Sequence, residues 1–213
     1  MSAPQRQAGT QEGRAARATG GDGAPERTRR LGARDLALIA VFAALIVVLG
    51  MPGALFAGTA VPITLQTLGV MLAAGLLGWR RGALVSLTII VLVAVGLPVL
   101  AGGRGGLGVF AGPTVGYLLA WVPAAMVTGY LLERARRLNA AVVFGAMVLG
   151  GIVVIHLFGI VGMMWRAELS LSAALVADAV FLPGDLIKAV LATAVALGVY
   201  RAVPDLLPRR PRA

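Results

Sequence analysis

The sequence predicts an all-α integral membrane protein with six transmembrane helices and both termini in the cytoplasm. Three observations carry that prediction. The first is composition: 59% of the 213 residues are hydrophobic and 13% are charged, against roughly 45–50% and about 25% in soluble domains. The second is patterning. Apolar residues fall in long unbroken runs, and the stretch between Leu36 and Tyr200 has room for six of them at the length of about 20 residues that a bilayer requires. A membrane barrel would instead alternate with period two. The third is the placement of arginine. With the N-terminus inside and six alternating spans, every arginine except Arg104 and Arg166 falls on the cytoplasmic side, as the positive-inside rule demands. An odd number of spans destroys that agreement.

In chain order, residues 1–33 are rich in Gly, Ala, Arg, Gln and Thr and lack apolar periodicity, so they are expected to form a disordered basic tail. They are not read as a signal peptide, because the apolar run that follows is too long. A six-helix membrane domain over 34–203 comes next, and a second basic tail, 204–213, closes the chain. The predicted spans are Leu36–Met51, Thr64–Trp79, Gly82–Leu100, Pro113–Leu132, Ala140–Trp165 and Pro183–Tyr200. Pro52-Gly53 ends the first. Three long connections, 52–62, 101–112 and 166–182, all fall on the outer side. Long loops in compact proteins are commonly functional, so a pocket on the outer face is expected.

The formal net charge of +10 does not indicate nucleic acid. The basic residues sit at the ends of apolar runs, where they act as topology determinants and favour anionic lipid. Aromatic residues, at 6%, are not interleaved with them for base stacking. The absence of cysteine excludes disulfide and thiol chemistry. Gly106-Leu107-Gly108-Val109-Phe110-Ala111 fits a dinucleotide fingerprint only formally, since it joins two membrane helices rather than a strand and a helix. Its glycines are better suited to close approach of backbone to a small ligand. The sequence contains no Walker A motif, so any ATP-driven step belongs to another chain. It contains no G-x-S-x-G either, and Ser86 has no evident base.

The residues most informative for chemistry open the sixth span. Pro183 suits a first helical turn. Asp185 follows, and Lys188, the single lysine of the chain, lies about 60° around and about 4.5 Å deeper on the same face. A charge beyond the end of an apolar segment is expensive and points to function. The competing reading is a structural ion pair with Lys188 snorkelling to the interface. His156, the single histidine, lies mid-span with no carboxylate near it in sequence. It is expected to be a hydrogen-bonded interior residue and not a metal ligand. Asp178 and Glu168, in the last outer loop, are expected to be solvated. Ala40 and Ala44 form a small-xxx-small face that allows close helix contact.

Five stretches resemble the BioY family in order and spacing over about residues 34–200. They are Val61-Pro62-Ile63-Thr64-Leu65-Gln66-Thr67-Leu68-Gly69-Val70, Leu76-Leu77-Gly78-Trp79-Arg80-Arg81-Gly82-Ala83, Gly96-Leu97-Pro98-Val99, Gly112-Pro113-Thr114-Val115-Gly116-Tyr117-Leu118 and Phe181-Leu182-Pro183-Gly184-Asp185-Leu186-Ile187-Lys188. The family often has Gly at the position of Val115. The resemblance implies the biotin-binding substrate (S) subunit of an energy-coupling factor (ECF) transporter. Such a subunit is a six-helix bundle of the cell membrane that binds vitamin on the outer side, and it works with a membrane coupling subunit and two ATPase subunits. It is not an enzyme and carries no cofactor. The family's intramembrane acid and lysine correspond to Asp185 and Lys188, and its first-helix AxxxA docking motif to Ala40 and Ala44.

Biotin offers two ureido N–H donors, a carbonyl acceptor, an apolar thioether ring with an aliphatic tail, and a carboxylate. Asp185 can accept from the ureido group, and Lys188 can donate to the ureido carbonyl or the tail carboxylate. Thr64, Gln66, Thr114 and Tyr117 are expected to complete the polar shell, with Phe110 and Gly112 beside them. Three other readings stand next to this one: an S-subunit for another small vitamin, a small membrane-embedded enzyme, and a purely structural or assembly subunit.

Overall fold

Seven α-helices account for most of residues 31–51 and 64–203, the residues described by the computed structural model. They are α1 (Ala33–Gly50), α2 (Gln66–Leu77), α3 (Trp79–Ala94), α4 (Val115–Arg134), α5 (Ala140–Arg166), α6 (Leu171–Ala179) and α7 (Leu182–Ala202). A 3₁₀ turn, Leu107–Ala111, lies between α3 and α4. Both predicted tails, through residue 30 and from residue 204, and the first outer loop, 52–62, lie outside the described residues.

Among the described residues, four helices are long and apolar enough to cross a membrane: α1, α4, α5 and α7. α2 and α3 have 12 and 16 residues, or about 18 and 24 Å of helix. The shortness of α2 goes with its position at the centre of the bundle. All of its residues except Thr67 and Leu68 are buried, and it packs on α1, α3, α4 and α7. α1, by contrast, buries only Ile39, Ala43, Ile46 and Gly50 along one stripe. The apolar residues on its remaining surface fit contact with lipid.

Side-chain contacts fix which helix ends lie together. At one end Arg81 of α3 pairs with Asp35 of α1 at 2.5 Å. The Trp79 N–H donates to Glu133 of α4 at 3.1 Å, and Tyr200 of α7 donates to the Gly75 carbonyl of α2 at 2.5 Å. At the other end the Gln66 amide donates to the Ile46 carbonyl of α1 at 3.3 Å, and Lys188 of α7 donates to Thr67 of α2 at 3.2 Å. Helices α1 to α4 therefore alternate in direction, and α7 runs parallel to α2, with Lys188 beside Thr67 at their starts and Tyr200 beside Gly75 at their ends.

Glycine sets two close approaches. Gly78, at φ 82°, turns the chain from α2 directly into α3 in a backbone region that side chains disfavour. Gly116 of α4 lies against Gly162 and the Phe158 carbonyl of α5, so a Cβ at either glycine would strike the facing backbone. That contact seats α5 tightly on α4. Within α5, Leu149–Val154 form a π-helical segment, and Thr128 of α4 donates to the Ala146 carbonyl just before it at 3.3 Å. A π segment carries one residue more than the α ladder and shifts the phase of everything after it. Here the residue that follows almost at once is His156.

The structure departs from the predicted elements at three places. The third span, expected to reach Leu100, ends at Ala94, and the chain turns at Gly96 with φ 100°. Trp79, expected to close the second span, starts α3 instead. The outer stretch 166–182 contains α6, capped at its start by Ser170, whose hydroxyl accepts from the Ala173 N–H. The seventh helix is thus a short one between α5 and α7, and the sequence expectation of a loop there is corrected.

Candidate functional site

α2 and α7 meet at the end of the bundle away from Arg81. The first turn of α7 carries Asp185, and the next carries Lys188 on the same face. Both are buried, at 6% and 5% exposure. The Lys188 ammonium donates to Asp185 Oδ1 at 2.6 Å and to the Thr67 hydroxyl at 3.2 Å. The Thr67 hydroxyl in turn lies 3.5 Å from the same carboxylate oxygen. Removing charges from water costs several kcal/mol per ion unless they are paired and hydrogen-bonded, and here they are. Lys188 does not snorkel outward.

These groups form one wall of a cleft that opens at this end of the bundle. Leu100, Leu118, Trp121, Ile155 and Phe181 supply its apolar lining. Thr64, Gln66, Arg104, Thr114 and Tyr117 supply further polar groups. Arg104 lies in a tight turn in which its own N–H donates to the Leu100 carbonyl at 3.2 Å and its Nε donates to the Ala101 carbonyl at 3.2 Å.

The cleft thus brings together six of the eight site residues expected from sequence: Thr64, Gln66, Thr114, Tyr117, Asp185 and Lys188. Phe110 packs instead against the core shared by α1, α2, α3 and α4. Gly112 belongs to the turn into α4, donating its N–H to the Val109 carbonyl and accepting from the Val115 N–H, both at 3.2 Å. Gln66 reaches the cleft, but most of its amide capacity goes to backbone. It donates to the carbonyls of Ile46 and Val99, and its oxygen accepts from the Ala101 N–H at 3.1 Å. It ties α1, α2 and the α3–α4 connection together at the mouth of the site. Ala40 and Ala44 are exposed on α1, away from its buried stripe.

Behind the cleft lies a polar group that sequence reasoning missed. Asp178, expected to be solvated, is buried at 5% exposure. Helix α6 carries it inward, where it accepts from the Tyr117 hydroxyl at 2.6 Å and faces His156 Nδ1 at 2.8 Å. The other ring nitrogen of His156 lies 2.9 Å from Asp185 Oδ2. His156 is an interior hydrogen-bonded residue, as expected, but it has two carboxylate neighbours where the sequence offered none. The described residues contain no group of His, Cys, Asp and Glu able to hold a metal.

The model of the BioY family, matched to this chain, covers residues 24–205. The chain belongs to the BioY family. It is 50% identical over 188 residues to the biotin transporter BioY of Rhodobacter capsulatus, covering 83% of this chain and 98% of that protein. It is 48% identical over 184 residues to the biotin transporter BioY of Rhizobium etli, with the same coverage. Among solved structures it is similar to the S-component for biotin from an ECF-type ABC transporter. There the TM-score is 0.76 at 31% identity, over 83% of this chain and 96% of the other. BioY membership and the S-component fold mark a membrane-embedded binding subunit of a transporter rather than an enzyme.

Proposed function

We propose that this chain binds biotin in the cleft beside Asp185 and Lys188 and serves biotin uptake as the S-subunit of an ECF transporter. The observation that carries the reading is the buried, mutually paired Asp185–Lys188–Thr67 group on the wall of a cleft with an apolar lining. It occurs in a chain whose relatives are biotin transporters.

Biotin is polar at its two ends and apolar between them. The carboxylate of Asp185 retains lone-pair capacity for a ureido N–H, and the ureido carbonyl can accept from Lys188 or Thr67. Trp121, Phe181, Leu118 and Ile155 offer the apolar contact that the thioether ring needs. Arg104 has no carboxylate partner among the described residues, so its guanidinium suits the tail carboxylate. This arrangement orients biotin with its ureido ring toward α7 and its tail toward the α3–α4 connection.

Six spans with both termini in the cytoplasm accord with the alternation of helix ends. One end of the bundle gathers Arg80, Arg81, Arg134, Arg137 and Arg201, while Arg104 and Arg166 lie toward the other, in line with the positive-inside rule. The cleft then faces outward from the cell membrane. Aromatic partners at both levels, Trp79 under Arg80 and Trp165 under Arg166, suit the two membrane interfaces. The exposed Ala40–Ala44 strip on α1 suits close docking of a membrane coupling subunit, and two ATPase subunits supply the nucleotide chemistry that this chain lacks.

Equilibrium titration of the purified protein with biotin, riboflavin and thiamine tests the ligand. Saturable binding of biotin alone is expected. Binding of another vitamin in preference to biotin would overturn the assignment.

A further inference from the structure

Behind the cleft, the His156 ring is held between two carboxylates from different helices. Nδ1 faces Asp178 Oδ2 at 2.8 Å and Nε2 faces Asp185 Oδ2 at 2.9 Å. Ionised carboxylates only accept hydrogen bonds, whereas a neutral imidazole has one N–H and one bare nitrogen. Both contacts are satisfied together when the ring carries two protons. The buried set Lys188, His156, Asp185 and Asp178 then sums to zero charge, as a buried cluster must approach.

The geometry points to His156 and Asp178 as positioning residues for the Asp185 carboxylate. The proposal rests on the reading of Asp185 as a ligand contact. An aspartate's terminal torsion is soft and roughly two-fold, so Lys188 and Thr67 at Oδ1 do not by themselves fix the plane of the carboxylate. The Nε2–H at Oδ2 supplies the second anchor and leaves the remaining lone pair aimed at the cleft. Asp178 acts one step further out: it orients the ring through Nδ1 and is itself oriented by the Tyr117 hydroxyl at 2.6 Å. The Tyr117 ring, edge-on to His156 with centroids 6.2 Å apart, packs the imidazole from α4. Five helices thus converge on one carboxylate: α5 and α6 through the relay, α4 through Tyr117, α2 through Thr67, and α7 through Asp185 itself. The titratable and charged groups facing His156 are Asp178 from α6, Asp185 and, through it, Lys188 from α7, and Tyr117 from α4.

The two ring nitrogens can be mimicked separately, because a glutamine amide reaches the place of Nε2 and an asparagine amide the place of Nδ1. His156→Gln keeps a donor toward Asp185, and His156→Asn keeps one toward Asp178 only. Biotin titration of the folded, detergent-purified variants is expected to leave His156→Gln within about threefold of wild type. His156→Asn is expected to lose about tenfold or more, the size of one hydrogen bond to a charged group. A second pair approaches from α6. Asp178→Asn preserves the Tyr117 contact and lets a neutral ring still donate through Nε2, so its affinity stays near wild type. Asp178→Leu releases the ring and is expected to weaken binding about tenfold. A purely structural role would lower thermal stability and leave the affinity of every folded variant unchanged. Equal affinities for His156→Gln and His156→Asn, or a folded Asp178→Leu protein with wild-type affinity, would overturn the proposal while leaving the biotin reading intact. A wild-type chain that binds no biotin would overturn both.

Discussion

The two ends of the bundle use charge in opposite ways. At the arginine-rich end the charged groups stand at the surface and lean on backbone and aromatic partners. Arg81 meets Asp35 with roughly a third of its side chain exposed, Arg80 and Arg134 lie over Trp79 and Tyr130, and Glu133 accepts from the Trp79 N–H. At the cleft end, Asp185, Lys188, His156 and Asp178 are buried and bond to one another. Exposed pairs contribute about 0–1 kcal/mol, whereas breaking a buried pair by removing one partner costs about 3–5 kcal/mol. The same residue types are therefore worth little at one end and much at the other, and burial makes the difference.

The largest expected effect comes from Asp185→Ala. It leaves Lys188 and His156 facing each other's charge without the carboxylate between them, and biotin affinity should fall by several kcal/mol, measured by titration of the folded variant. Next is Lys188→Arg. A planar guanidinium does not reproduce a compact ammonium between Asp185 and Thr67, so only partial affinity should return. Ala40→Trp should leave biotin binding of the isolated subunit unchanged and abolish co-purification with a coupling subunit through steric overlap. Undiminished co-purification would count against the docking face. The smallest effect belongs to the arginine-rich end. Arg81→Ala should cost at most about 1 kcal/mol of thermal stability and leave biotin affinity untouched. A large loss of binding there would erase the contrast between the two ends. Cysteine labelling from outside sharpens it further, since the chain has no native cysteine: positions 104 and 166 should label in intact cells and position 137 should not.

The cleft end was only half legible in the sequence, for physical reasons. Asp185 and Lys188 stood out because a single lysine inside an apolar run is costly, and because their spacing alone puts them on one face. His156 gave no such signal, since its partners lie 22 and 29 residues away and meet it only through tertiary packing. Asp178 was misread for the same reason. Its stretch looks like a polar-then-apolar loop until α6 folds back and turns one face inward. Gln66 was expected to face ligand and lines the cleft, but its contacts to Ile46, Val99 and Ala101 span distances in sequence that no local pattern reveals. Thr67, one residue on, supplies the hydroxyl next to the lysine. Six of the seven helices follow the predicted apolar runs in order, four of them long enough to cross a membrane, and α6 is additional. The early end of α3 at Ala94 and the direct α2–α3 turn at Gly78 depend on backbone geometry that apolar continuity hides.

The central claim is that the buried pair on α7 binds biotin and is not a structural strut. Its most direct test is biotin titration of wild type and of Lys188→Ala, with thermal unfolding of both measured in the absence of ligand. The account predicts a folded Lys188→Ala protein whose biotin affinity is weaker by several kcal/mol. A folded Lys188→Ala protein that binds biotin as tightly as wild type would contradict it.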